Sequence, residues 1–325
     1  MSALDATLNA RIGWMRGLDL HTMMTDPDLA TRVLQSYVGD STYVGPDVAF
    51  VERLIDGPLG PASLRIRIYD SACNAAGPRP ALLWMHGGGF ISGGLDDIES
   101  DLVAREISAR SGNVVIAVDY HLADGRVGYP TLHREVACAF RWSHEHADEL
   151  GIDAGRLLLG GASAGGNLAL AAALQLRDAA EPAPSGLVLV YPLLHQELPP
   201  WRDGPPDFDE VPASFRFPAA MFNLMYDTYL ATSSSGGARY ASVEGHLLND
   251  LPPTLVMVAE FDDLRASGEF FADSARLAGV DVSEYLARGV VHGHLAMPAD
   301  IPETDRSLQV IADYLGRGPE HRPRQ

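Results

Sequence analysis

Short apolar runs and helix-period stretches alternate through the middle of the chain. Residues 64–69 (Leu-Arg-Ile-Arg-Ile-Tyr) alternate apolar with polar side chains, the period of a half-exposed strand. Residues 81–85, 114–118, 157–159, 187–191 and 255–259 are unbroken apolar runs, which predict strands buried on both faces of a mostly parallel sheet. A further extended run covers 282–286. Between them, 98–109, 133–150, 166–176, 268–277 and 304–315 place apolar residues at helical spacing. This alternation predicts an α/β fold with a doubly wound, mostly parallel central sheet. In such sheets the ligand site lies at the carboxyl ends of the strands.

Two stretches break the pattern. Residues 1–45 predict one or two helices ahead of the first strand. Residues 195–250 hold a Pro-rich segment (Pro199, Pro200, Pro205, Pro206, Pro212) and then an aromatic, Met-rich helix over 218–230. An insert at that point would lie over the carboxyl ends of the strands. Both stretches are expected to form a helical cap on a body spanning 46–316, with a polar, flexible tail at 317–325.

The residues just after the apolar runs carry the chemistry. The run 157–159 leads into Gly161-Ala162-Ser163-Ala164-Gly165 and then an Ala-rich helix. A strand-to-helix turn of the Gly-x-Ser-x-Gly type holds a serine on strained backbone at its tip. The run 81–85 leads into His86-Gly87-Gly88-Gly89-Phe90, a glycine loop whose N–H groups can face a reacting atom as an oxyanion hole requires. A phosphate loop is disfavoured, because neither lysine nor G-x-G-x-x-G follows. Acids stand past the next strand (Glu260, Asp262, Asp263), and imidazoles past the last (His292, His294). The order Ser163, Asp262, His292 is that of nucleophile, acid and base in α/β-hydrolases. His86 reads as a brace for the glycine loop, with Asp119-Tyr120 supporting it from beneath, and His144 and His146 read as solvated. No His-Glu-x-x-His or third ligand cluster accompanies His292 and His294, so no metal is expected.

Charge and composition narrow the choice further. All 24 cationic side chains among the 325 residues are arginine. Without lysine there is no Schiff-base anchor for pyridoxal phosphate, no P-loop lysine, no kinase strand lysine and no Ser-x-x-Lys pair. A serine nucleophile therefore needs a histidine base. The net charge of -19 argues against nucleic acid or an anionic membrane as partner and favours neutral substrates. Cys73 and Cys138 are far apart, which predicts free thiols and a cytoplasmic setting. No apolar stretch approaches the length of a membrane span.

Taken together, these motifs resemble the hormone-sensitive-lipase-like esterases of the α/β-hydrolase fold. The resemblance rests on His86-Gly87-Gly88-Gly89-Phe90, Val118-Asp119-Tyr120, Leu122-Ala123, Tyr129-Pro130, Leu150-Gly151-Ile152-Asp153, Ser163-Ala164-Gly165-Gly166-Asn167, Tyr191-Pro192, Asp262 with Leu264-Arg265, and His292-Gly293, in order over residues 48–315. It implies Ser163 as nucleophile, His292 as base, Asp262 as its partner, and the backbone N–H groups of Gly88, Gly89 and Ala164 as oxyanion hole, with no cofactor or metal. Ala162 stands where the family usually has an acid. Asp124-Gly125 replace Pro-Glu, Asp263 replaces a proline, and His294 replaces a phenylalanine. Asp263 is the alternative triad acid. The expected activity is hydrolysis of small esters of short to medium acyl chain. Lactone, amide or thioester hydrolysis, or ligand binding without turnover, are the alternatives. In the insert, Phe215, Phe217, Met221, Phe222, Met225 and Tyr229 are candidate pocket residues.

Overall fold

The computed structural model describes residues 3–18, 26–73, 76–233 and 238–317. Among the described residues, α1 (Ala6–Ile12) and α2 (Pro27–Val38) lead. Each is capped by an aspartate: Asp5 accepts the N–H groups of Thr7 and Leu8, and Asp26 those of Asp28 and Leu29. The sheet then begins with β1 (Phe50–Gly57), β2 (Gly60–Asp70) and β3 (Arg79–Met85). After it come α3 (Asp101–Ser111), β4 (Val114–Asp119), α4 (Thr131–Glu145), β5 (Ile152–Ala162), α5 (Ala164–Asp178) and β6 (Leu187–Val190). The chain ends with α6 (Ala219–Leu230), β7 (Thr254–Phe261), α7 (Arg265–Leu277), β8 (Val282–Val291) and α8 (Pro302–Arg317).

Among the described residues, eight strands form one sheet in the order β1-β2-β4-β3-β5-β6-β7-β8. The β1–β2 and β2–β4 pairs are antiparallel, and every pair from β4–β3 to β7–β8 is parallel. Successive side chains of a strand face opposite ways, and the core divides accordingly. Leu83 and Met85 of β3 pack with α4, α5 and α7, whereas Leu82 and Trp84 pack with α1, α3 and α8. All four are fully buried, and burial of each such side chain contributes about 1.5–3 kcal/mol. Helix α5 lies against the centre of the sheet and is apolar nearly all round, so it shows no amphipathic stripe.

The five apolar runs appear as β3 to β7, and the extended run at 282–286 as β8. The first strand has no counterpart among them: β1 reads Phe-Val-Glu-Arg-Leu-Ile-Asp-Gly and only Ile55 is buried. Both of its faces are largely wet, so it needs neither an apolar run nor a strict alternation. Helix α8 extends through Arg317, and the remainder of the expected tail lies outside the described residues. His146 is not simply solvated. Its ring stacks on Trp142 at 4.5 Å and its Nδ1 meets the Trp142 carbonyl at 2.9 Å. His144 is likewise half-buried, 6.3 Å from the Phe140 ring.

Candidate active site

Ser163 follows β5 and immediately precedes α5, with φ 53° and ψ -116°. A left-handed backbone at a non-glycine residue costs about 1–3 kcal/mol and persists only where surroundings enforce it. Here Ser163 N–H donates to Val190 O at 2.9 Å, while its carbonyl receives Leu193 N–H at 3.1 Å and Asn167 N–H at 3.2 Å. Two glycines permit the turn. A Cβ at Gly161 would strike the backbone of Gly165, and one at Gly165 the carbonyls of Met85 and His86.

The side chain of Ser163 is 3.0 Å (Oγ) from His292 Nε2, and His292 Nδ1 is 2.8 Å from Asp262 Oδ2. The other carboxylate oxygen, Oδ1, accepts Leu264 N–H at 2.9 Å. Asp262 is fully buried at the end of β7 and Ser163 is 5% exposed, so both bonds lie in a largely dry setting. Two rings fix the imidazole edge to face: Tyr191 at 4.8 Å and Phe217 at 4.6 Å. The structure thus brings Ser163, His292 and Asp262 together from β5, β8 and β7. Asp263 is not in that chain. Its carboxylate turns away to Arg216, at 2.7 and 2.9 Å, and to Phe217 N–H at 2.8 Å.

Gly88 and Gly89 meet Ser163 at the same cavity. Their peptide orientation follows from where the carbonyls go. The Gly87 carbonyl is held by the Tyr120 hydroxyl (3.0 Å) and by His86 Nδ1–H (2.8 Å). The Gly88 carbonyl accepts Ile91 N–H, Ser92 N–H and the Ser92 hydroxyl at 3.0–3.1 Å. In a trans peptide, N–H points opposite to C=O, so the N–H groups of Gly88 and Gly89 are turned away from these anchors. Ala164 N–H is the first of the N-terminal donors of α5, which an α-helix leaves unpaired. Three backbone donors of this kind suit a developing oxyanion. Tyr120 stacks on His86 at 4.4 Å, so both brace the loop, while Asp119 pairs with Arg65 at 2.9 Å.

Glu99, to which no sequence motif draws attention, lines the same cavity beside this apparatus. One oxygen accepts Gly87 N–H at 2.6 Å, and the other accepts the Tyr191 hydroxyl at 2.6 Å. A single carboxylate therefore ties the glycine loop to a ring that holds His292. Burial, then Glu99, pushes the Tyr191 hydroxyl pKa well above its ordinary value, so it stays a donor. Ala162 is fully buried beside Ser163, and Glu99 Oε2 approaches the same point next to Gly87 as Ser163 Cβ and the Ala162 carbonyl. His294 is also fully buried, with Nε2 2.9 Å from the Ser307 hydroxyl. Burial holds it neutral, its pKa pushed down to about 3.

The cavity above Ser163 has a volume of about 360 Å³. Phe215, Phe217, Met221 and Met225 line it, joined by Leu224 and, from α2, Tyr37. Burial, then Glu99, raises the Tyr37 hydroxyl pKa to about 12. Phe222 and Tyr229 do not reach the cavity. Phe222 packs on Tyr226 at 5.5 Å, and Tyr229 stacks on Phe90 at 4.2 Å. Helical geometry explains the division: 221, 224 and 225 share one face of α6, and 222, 226 and 229 the face against the core. Among the described residues no cluster of three or more His, Cys, Asp or Glu could hold a metal ion.

A family model described as the alpha/beta hydrolase fold matches residues 82–296. The chain belongs to the α/β-hydrolase family. This hydrolase is 32% identical over 282 residues to the esterase LipI of Mycobacterium tuberculosis, covering 84% of each chain. It is 32% identical over 237 residues to an ethyl acetate hydrolase of Pseudomonas putida, covering 72% of each. Among solved structures, an esterase of Pyrobaculum calidifontis superposes with a TM-score of 0.78 at 27% identity, over 97% of this chain and 98% of that one. A bacterial heroin esterase gives 0.78 at 28% identity with the same coverage.

Proposed function

We propose that this hydrolase cleaves neutral carboxylic esters of short to medium acyl chain, with Ser163 as nucleophile, His292 as base and Asp262 as its partner. His292 Nε2 takes the hydroxyl proton as Ser163 Oγ attacks the ester carbonyl. The N–H groups of Gly88, Gly89 and Ala164 receive the oxyanion. Asp262 holds the tautomer with Nδ1–H and stabilises the imidazolium. The tetrahedral adduct collapses, the alcohol leaves with the proton from Nε2, and water then releases the acid from Ser163 by the same steps. The single observation that carries this reading is the unbroken hydrogen-bonded chain from Ser163 through His292 to Asp262 at the base of an apolar cavity.

We read residues 46–316 as the catalytic body and residues 1–45 and 195–250 as its cap. Tyr37 from the first and Phe215, Phe217, Met221, Leu224 and Met225 from the second wall the cavity. The acidic surface disfavours anionic substrates, nucleic acid and anionic membranes. Among the described residues no helix is long and apolar enough to cross a membrane, and a cytoplasmic location suits the free Cys73 and Cys138.

The test is a series of p-nitrophenyl esters from acetate to palmitate with the wild type and Ser163→Ala, beside labelling by a fluorophosphonate. The wild type should label on Ser163 and prefer acyl chains below about ten carbons, in keeping with a pocket of drug-sized volume. The variant should keep its fold and lose at least about 10⁴-fold in kcat. Undiminished turnover by the variant overturns the nucleophile, and a maximum at sixteen carbons overturns the chain-length range.

A further inference from the structure

Asp262 and Asp263 are neighbours on one turn but face opposite ways. Asp262 is directed inward to His292. Asp263 is directed into the insert between β6 and β7, where it takes three hydrogen bonds. Arg216 gives two in a fork, Nη2 to Oδ1 at 2.7 Å and Nε to Oδ2 at 2.9 Å, and Phe217 N–H gives the third, to Oδ2 at 2.8 Å. The carboxylate side chain is only 14% exposed, and the guanidinium is covered on one face by the Phe208 ring, 3.5 Å away. A bidentate, partly buried pair of this kind is directional as well as attractive. The held residue, Phe217, is the one whose ring lies 4.6 Å from His292 at 76° and walls the cavity. No helix contains Arg216 or Phe217: they lie between a short 3-10 turn (Ala213–Phe215) and α6. Asp263 therefore ties both residues to the end of β7.

Chemistry says which part of the substrate this wall meets. His292 Nε2 must hand its proton to the departing alcohol oxygen, so that oxygen and the group it carries lie on the His292 side of the cavity. We propose that Asp263 is a positioning and specificity-determining residue: with Arg216 it locks Phe217 as the wall that limits the alcohol portion of the ester. The two adjacent acids then divide the work. One holds the base, and the other fixes the size of the leaving group that the base can serve. A hydrophobic wall discriminates groups that differ by a methylene or more by about 10-fold upward, which is the range the lock would govern.

This inference rests on the esterase reading above, and the experiment separates the two. Two series of esters are assayed: acetates of ethyl, butyl, benzyl and 1-naphthylmethyl alcohols, and p-nitrophenyl esters of rising acyl length. Wild type, Asp263→Ala, Asp263→Asn, Arg216→Ala and Arg216→Lys are compared, with active enzyme counted by fluorophosphonate labelling. Asp263→Ala and Arg216→Ala should each raise the naphthylmethyl-to-ethyl ratio of kcat/KM by about tenfold. The ratios across acyl length should move less than twofold. Asp263→Asn retains an acceptor for Phe217 N–H and should fall between wild type and Asp263→Ala, while Arg216→Lys should restore part of the wild-type ratio. If Asp263→Ala does not fold, Arg216→Ala alone decides. Alcohol ratios that stay at the wild-type value, or that shift together with the acyl ratios, overturn the proposal while leaving the esterase reading intact. A wild type inert on every ester of both series overturns the esterase reading itself.

Discussion

At the carboxyl ends of β3, β5 and β7, most anchors have a main-chain group on at least one side. Ser163 is clamped by three main-chain hydrogen bonds, the glycine loop is anchored through its carbonyls, and Asp262 receives Leu264 N–H. The insert between β6 and β7 is held mainly by side chains: Arg216 on Asp263, Met225 over Gly89, Tyr229 on Phe90. Backbone in regular structure leaves few alternatives within reach, whereas a side-chain link can be lost singly. The comparison teaches that the reaction and its selectivity reside in parts that tolerate change differently. Substitutions in the strand-end frame should cost rate, and substitutions in the insert should redirect it.

Three variants test that division, in falling order of expected effect on rate. Asp262→Asn should lower kcat by about 10⁴-fold, since it leaves the wrong tautomer facing Ser163. A loss there no larger than that of Asp263→Asn would erase the distinction between the two acids. Glu99→Gln sharpens the frame's outer boundary. It replaces a carboxylate that binds both Gly87 N–H and the Tyr191 hydroxyl, so kcat should fall by about 10- to 100-fold with KM within twofold in a steady-state assay. A change confined to KM would place Glu99 in substrate binding and outside the frame.

His294→Phe should leave the rate nearly unchanged and act on stability alone. His294 is held neutral in the fold with its pKa pushed down to about 3, below the roughly 6.5 of an unfolded chain. The unfolded state therefore binds the extra proton as pH drops below 6.5. The stabilisation is present above that value and is lost as pH falls toward 3. Between pH 6.5 and 5 this group should account for about 2 kcal/mol of lost stability. His133, also near 3 through burial, adds a similar share. Urea unfolding at both pH values should give a shallower decline for His294→Phe. An equally steep decline would show that His294 is not the titrating group.

Much of this was legible in the chain. Strands buried on both faces write themselves as apolar runs, and the turn at Ser163 and the glycine loop need residues few other structures require. Two kinds of feature were not legible. Strand β1 is exposed on both faces, so no burial pattern marks it. Glu99 and Asp263 act through partners 92 and 47 residues away, and a carboxylate's direction is not written in its local sequence. Asp263 could be singled out only as a second acid beside Asp262; its partner Arg216 carried no signal. In α6, a Met and aromatic stretch announced a helix but not its rotation, which is why Phe222 and Tyr229 proved to be core and Leu224 cavity wall.

The pairing of β3 with β5 has a consequence for how the molecule acquires its activity. Trp84 lies opposite Gly160 and Met85 opposite Gly161, so the glycine loop and Ser163 leave the last rungs of one ladder. A slip of one residue would shift the two loops by about 3.3 Å and turn the strand's side chains to the wrong faces. The gap that receives an ester carbonyl is thus a readout of how the middle of the sheet has zipped. During folding, a chain can gain helices, edge strands and a collapsed core while remaining inert, and turnover arrives only with the correct central register.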